Sequence, residues 1–222
     1  MREIAREAGF CALDTRSIET TMIQAVIFDY GNVLSRTLDR RPRANWEQHL
    51  GLQPGGLDQA VHNETSWVEA QCGRLSAEAY WEEVGQRLGL TLEMTAQVRA
   101  DFYRGDQRND DLVGCIDQMR RAGVRTAVLS NFSAELRVLL EQQGLVEHFD
   151  QIAISAEIGV MKPAAEAYQA VLEMLNLPAP ACGFVDDLPV NIEAAQGLGM
   201  QGIVFRDNPS CLEALQRMLT TE

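Results

Sequence analysis

Basic residues are scarce in this chain. Its 222 residues include 19 lysines and arginines against 32 aspartates and glutamates, a formal net charge of −13. Nucleic acids are held through phosphates that need clustered positive charge, so a chain this acidic is excluded as a general nucleic-acid binder. Hydrophobic runs are short, none nearing the ~20 apolar residues that cross a bilayer, and no membrane partner is expected. The five cysteines, Cys11, Cys72, Cys115, Cys182 and Cys211, are scattered, odd in number and never spaced as Cys-x-x-Cys. They read as buried thiols of a reducing compartment rather than a disulfide framework. The opening MREIAREAGFCALDTRSIETT is too polar and acidic for a signal or transit peptide, and a cytoplasmic location is expected. Also missing are a Gly-x-x-x-x-Gly-Lys loop, a Gly-x-Ser-x-Gly elbow and a His-Glu-x-x-His pair, which removes nucleotide-loop, serine-hydrolase and zinc-protease chemistry.

What is present is a chain 46% hydrophobic and 23% charged, too apolar for disorder and long enough to bury a core. No internal repeat, linker or low-complexity tract divides it. A small-molecule enzyme is the leading class. Acidity does not exclude an anionic substrate, because a bound divalent cation or a few aimed N–H groups reverse the local field.

Residues 1–22 read as a polar leader, either a loosely attached helix or a product of start-codon choice, with little role in chemistry. From Ile23, IQAVIFDYGNVLS opens with an apolar, β-branched run bounded by Asp29 and Gly31, the profile of a strand buried on both faces. Similar runs recur at Val124–Leu129, Ile152–Ile154, Gly183–Val185 and Gly202–Phe205. Helical spacing lies between them: Leu136, Leu139 and Leu140; Tyr168, Val171, Leu172 and Leu175; Ile192, Ala195 and Leu198. A last helix carries Leu212, Leu215 and Leu219, with Ser210 and Glu213 as its expected capping box. Strand and helix alternate, so the predicted fold is α/β, a doubly wound parallel sheet.

Residues 36–108 break this rhythm. They hold no convincing strand and read as amphipathic helices, for instance Ala77–Leu88 after the N-cap candidate Ser76. An all-helical insert directly after the first strand stands over the crevice where open α/β sheets bind ligands, which predicts a lid or cap. The remaining segments, 23–35 and 109–222, then form the core.

Polar residues at strand ends form a set. Asp29 follows the first strand, Ser130 and Asn131 the second, and Asp186 and Asp187 the fourth, while Lys162 lies in GVMKPAAEAYQ after the third. Each alone has an ordinary explanation as a turn, cap or solvated charge. Together they place three carboxylates, a lysine and a hydroxyl on one sheet edge. Adjacent carboxylates repel, and Mg²⁺, which takes a few carboxylates plus water and phosphate oxygen, is the natural neutraliser. A carboxylate beside that ion, with Ser and Lys to hold a tetrahedral anion, suits in-line attack on phosphorus through an aspartyl-phosphate.

FDYGNVLS, VLSNFS, GVMKP and FVDDLPVNIEAAQGLGM resemble, in order and over about residues 24–206, the four motifs of the haloacid dehalogenase superfamily. The resemblance implies a Rossmann-like core with a small helical cap. It implies Asp29 as nucleophile, Ser130 as a phosphoryl hydrogen-bonder helped by Asn131 or its N–H, and Lys162 as the balancing charge. Mg²⁺ would be held by Asp29, the carbonyl of Gly31 and Asp187, with Asp186 in the inner or second shell and Asn191 supporting the acidic loop. The commonest first motif of the family's phosphatases is Asp-x-Asp, whose second acid protonates the leaving oxygen; here that position is Gly31. The Asp-x-Gly-Asn-Val form resembles a branch containing sugar-phosphate phosphatases and the phosphatase-like domain joined to some epoxide hydrolases.

The leading expectation is therefore a Mg²⁺-dependent phosphatase of a small phosphorylated metabolite, with sugar phosphates among the candidates. The alternatives are a hydrolytic haloacid dehalogenase, and a phosphate-binding module that lost turnover with its acid at Gly31. In the insert, Arg36, His62, Glu64, Trp67, Arg74 and Arg104 could meet substrate, although most such residues are ordinary solvated positions. Trp46, Trp67 and Trp81 read first as cap core. His62 is the candidate replacement proton donor, whereas His148 reads as a packed or surface histidine. Oligomeric state is not legible.

Overall fold

Strand β1 (Ala25–Phe28) is apolar at every position because both of its faces are covered. Val26 and Phe28 pack on one side of the sheet, and Ala25 and Ile27 on the other, as the two-residue period of a strand requires. A computed structural model describes residues 23–63 and 65–220 of the chain. The expectations for residues 1–22 and for Glu64 lie outside the described residues.

Among the described residues β1 is the centre of a five-stranded, all-parallel sheet. The other strands are β4 (Arg125–Ser130), β5 (Gln151–Ile154), β6 (Cys182–Asp186) and β7 (Gln201–Val204), in the order β5-β4-β1-β6-β7. All four runs expected to pair with the first are strands, within a residue or two of their expected limits. Strand order reverses at β1, so connections leave toward both edges and helices cover both faces. One layer holds α6 (Asp110–Arg121), α7 (Leu136–Gln142) and α11 (Asn208–Leu219); the other holds α9 (Ala165–Leu175) and α10 (Pro189–Gly197). The fold is the Rossmann-like α/β core expected.

Among the described residues five further helices lie between the first two core strands: α1 (Arg41–Leu50), α2 (Gly56–Val61), α3 (Ser66–Gln71), α4 (Ala77–Leu88) and α5 (Leu92–Arg104). They have their own hydrophobic cluster around Tyr80, Trp81, Val84, Val98 and Phe102. Ser76 caps α4 as expected, its hydroxyl accepting from the Ala79 N–H.

Two local expectations fail. The insert is not wholly helical: β2 (Ser35–Thr37) and β3 (Asp106–Arg108) pair antiparallel and join its two ends in a short ribbon. Both strands are three polar or charged residues long, Ser-Arg-Thr and Asp-Gln-Arg, and carry no hydrophobic alternation to betray them. The capping box at Ser210 is also absent. Asp207 caps α11 instead, accepting from the Ser210 N–H at 2.8 Å, so the helix begins earlier with Pro209 in its first turn.

Candidate active site

The carboxyl end of β1 carries Asp29. Its N–H donates to the Val185 carbonyl at 2.9 Å, which continues the parallel pairing one residue past the strand and fixes the side chain on the sheet edge. Ser130 is the last residue of β4 and Asp186 the last of β6, so adjacent strands bring both to the same edge as Asp29. Ser130 is buried there.

Lys162 arrives from the loop between α8 (Ser155–Ile158) and α9. Asn131 aims it: the Asn131 amide donates to the Lys162 carbonyl and accepts from the Lys162 N–H, both at 2.8 Å. With its backbone clamped, Lys162 places Nζ 2.9 Å from Asp29 Oδ1 and 2.6 Å from Asp186 Oδ2. Its side chain is 1% exposed. An ammonium so buried is tolerable because two carboxylates face it.

Asp186 is wholly buried and fully engaged. Besides Lys162 it accepts from the Leu188 N–H at 2.8 Å and from Asn191 Nδ2 at 3.0 Å on each oxygen. The Asn191 carbonyl in turn accepts from the Tyr168 hydroxyl at 2.8 Å. Asp187, partly exposed, has a different partner, accepting on Oδ2 from Asn32 Nδ2 at 2.9 Å.

Asp29, Asp186 and Asp187 each offer an oxygen such that all three lie within 4.8 Å of one another. One lysine faces two of these carboxylates and the third has, among the described residues, only the neutral Asn32 amide as its hydrogen-bond partner, an excess of negative charge that a hard divalent cation fits. The cost of that crowding shows at Asp29, whose pKa is raised first by burial and further by the Asp186 charge, against the opposing pull of Lys162.

Asp29, Lys162, Asp186 and Asp187 thus form one cluster, Asn191 supports it, and Ser130 ends the neighbouring strand. Gly31 lies in the turn after β1, bridged to Ser35; a Cβ added to it would meet nothing within 4 Å. Of the two contacts expected of Asn131, the side chain and the backbone N–H, the structure engages the first elsewhere. Its side chain is committed to the Lys162 peptide group, so any contact it makes to an anion falls to its backbone N–H.

The candidates in the insert divide. Arg74 pairs with Glu69 and Arg104 with Asp101 at the surface, and Arg36 lies over the Phe205 ring. Trp81 and Trp46 serve the helical block, the former hydrogen-bonded through Nε1 to the buried Glu135 of the core. Trp67 reaches the core: its ring meets Phe132, next to Asn131, edge-on at 5.1 Å. His62 lies tilted against Trp67 and edge-on to Phe102, at 5.0 and 5.3 Å between centroids. Loss of hydration there, with the nearby Arg43 charge, pulls its pKa down to about 4. A ring so placed is protonated less readily than an ordinary histidine, which weighs against a role as proton donor. His148 is the packed histidine expected, with Nδ1 2.6 Å from Asp117 Oδ1.

Two contacts between insert and core were not legible. Gln71 Nε2 donates to the Asn131 carbonyl at 2.8 Å. Gly73, with φ +71°, passes so near the Ala156 carbonyl oxygen that a Cβ would lie 2.2 Å from it, so only glycine fits. The Gly-Arg step after α3 is the sole sequence signal for that approach.

A doubly wound α/β core with an acidic, lysine-bridged cluster at its strand ends defines the class of protein. A family profile described as haloacid dehalogenase-like hydrolase matches residues 14–199, and the chain belongs to that family. It is 30% identical over 210 residues to the phosphatase MT3486 of Mycobacterium tuberculosis, covering 90% of this chain and 94% of that protein. It is 28% identical over 202 residues to the sesquiterpene phosphatase astK of Aspergillus oryzae, covering 88% and 97%. In fold it is similar to a haloacid dehalogenase family enzyme of Bacteroides thetaiotaomicron solved with magnesium and inorganic phosphate. That match has a TM-score of 0.70 at 18% identity and covers 83% of this chain and 94% of the other.

Proposed function

We propose that this haloacid dehalogenase-like hydrolase is a Mg²⁺-dependent phosphatase of small phosphorylated metabolites, working through an aspartyl-phosphate on Asp29. The observation that carries the reading is the bridge of Lys162 between Asp29 and Asp186, with Asp187 completing the carboxylate cluster. The full-length likeness to two proteins named as phosphatases supports it.

Asp29, Asp187 and the Gly31 carbonyl would hold Mg²⁺, with Asp186 adjoining. The ion would supply charge neutralisation for the phosphoryl oxygens and keep Asp29 ionised against its raised pKa. Asp29 Oδ attacks phosphorus as the bond from phosphorus to the ester oxygen breaks, and the leaving alkoxide takes a proton from its own molecule or from water. Lys162 and the Ser130 hydroxyl hold the transferring phosphoryl group and offset its charge. Water then attacks the aspartyl-phosphate, releasing inorganic phosphate and restoring the carboxylate.

The helical block of residues 36–108 acts as the cap. Its contacts from Trp67 and Gln71 to the Phe132 and Asn131 positions link its closure to the loop that aims Lys162. The cap and the negative charge of the chain favour small esters over extended polyanions. A reducing, cytoplasmic setting accords with four cysteines outside any disulfide among the described residues.

The test is a screen of phosphorylated metabolites, sugar phosphates included, with and without EDTA and with Asp29→Asn as blank. The reading requires metal-dependent phosphate release that the variant lacks. Phosphate release by Asp29→Asn, or undiminished release in EDTA, overturns it. Halide release from a haloacid in EDTA would point to the dehalogenase alternative instead.

A further inference from the structure

Asp186 and Asp187 are neighbours in the chain, yet they are held in opposite ways. Asp186 is buried under Leu188 and Asn191 of its own loop and Lys162 of the loop before α9. Asp187 is partly exposed and receives its hydrogen bond from Asn32, 155 residues away in the turn after β1. A partly exposed aspartate without a partner would sample several rotamers, and each lost rotamer would be charged against cation binding.

Asn32 is built for this reach. Its backbone lies in the left-handed region, with φ +58°, where asparagine is among the few tolerated side chains. The Tyr30 carbonyl closes the turn by accepting from the Leu34 N–H at 2.9 Å and the Ser35 N–H at 3.0 Å. The Asn32 carbonyl accepts from Arg36 Nε at 3.1 Å, and the Arg36 guanidinium lies 4.8 Å from the Phe205 ring centroid. Phe205 N–H donates to the Asp186 carbonyl at 2.8 Å, which closes a circuit between the loop after β1 and the loop after β6. An amide suits this position because its NH₂ donates to a carboxylate without adding charge.

We propose that Asn32 is a positioning residue that presets Asp187 for a divalent cation, with Arg36 holding the Asn32 turn from the other side. The inference rests on the reading of Asp29, Asp186 and Asp187 as a Mg²⁺ site. Hydrogen-bond partners behind a metal ligand typically alter metal affinity by 10–100-fold when removed. The loss should therefore fall on cation affinity and leave the fold intact.

The experiment titrates Mg²⁺ into the full chain by calorimetry for wild type, Asn32→Gly and Asn32→Ser, and records melting in EDTA. Glycine accepts the left-handed backbone and removes the amide; serine, more strained there, is too short to reach Asp187 and gives a second reading of the same loss, and melting in EDTA identifies any variant whose fold rather than whose site has changed. The expected result is a Mg²⁺ dissociation constant raised about tenfold or more, with melting in EDTA near that of wild type. A dissociation constant within twofold of wild type in a folded variant overturns the role of Asn32. A wild-type chain that takes up no Mg²⁺ at all overturns the metal reading itself, so the two failures are distinct.

Discussion

Lys162 Nζ lies 2.9 Å from Asp29 Oδ1, at the end of a side chain almost wholly removed from solvent. The contact does two things at once. It offsets the cost of an ionised aspartate at a buried sheet edge, and, on the proposed function, it stands where charge on a transferring phosphoryl group would need balancing.

Lys162→Met should therefore damage stability and turnover together. Its removal leaves Asp29 and Asp186 buried without their cation, a change that typically costs about 3–5 kcal/mol. Turnover should fall by about 10²–10³, the usual effect of deleting one preorganised electrostatic group. Urea unfolding in EDTA and steady-state rates measure the two; a variant as stable and as active as wild type would show the bridge to be idle.

Gly31→Asp is expected to be a gain of function. A Cβ there meets no atom within 4 Å, and the backbone is outside the left-handed region, so a side chain is accommodated. A carboxyl two residues after Asp29 would supply a proton to the leaving oxygen, an effect typically worth about 10²–10⁴ in rate. Wild type should show rates that fall steeply as the leaving-group pKa rises across aryl and alkyl phosphates, and the variant a shallower slope. A flat wild-type dependence would mean that another residue already acts as the acid.

His62 gives a pH signature. Its folded pKa of about 4 is below the ordinary 6.5, so between those values the unfolded chain binds more protons than the folded one. Its contribution to stability is complete above about 6.5 and is lost as pH falls toward 4. His62→Phe keeps a ring beside Trp67 and Phe102 but cannot titrate. Its melting temperature should drop less than that of wild type between pH 6.5 and 4; identical pH profiles would contradict the assignment.

Glu135 ties the helical block to the core. Its carboxylate accepts from Trp81 Nε1 at 2.8 Å, Arg99 Nε at 2.5 Å and the Tyr103 hydroxyl at 3.2 Å. Glu135→Ala strands buried donors, each costing about 1–3 kcal/mol, with the Arg99 share reduced because that side chain is partly exposed. A lowered urea midpoint and a raised KM are expected. An unchanged midpoint would show that the helical block is held elsewhere.

The sheet and the acids at its edge were legible because burial on both faces demands continuous apolar runs, and Asp29 and Asp186 interrupt those runs abruptly. The partners that tune the site were not. Asn131 reads in sequence as a polar turn residue, and nothing local says that its amide closes on the Lys162 peptide 31 residues on. Asn32 lies in a Gly-Asn turn, whose chemistry announces a bend but not a bond to Asp187. His62 reads in sequence as a candidate acid; the Phe102 ring and the Arg43 charge that bear on it come from segments about 40 and 19 residues away. Periodicity reports what a residue is buried by on average, whereas hydrogen-bond partners across the fold depend on loops that carry no period.

The central claim, covalent catalysis by Asp29, is tested most directly by acid-quenching the enzyme during turnover of a phosphate ester with Mg²⁺ and mapping the Asp29 peptide by mass spectrometry. A phosphoryl group on Asp29 that is absent without substrate and absent from Asp29→Asn is the predicted result. Phosphate release that persists in Asp29→Asn would contradict it.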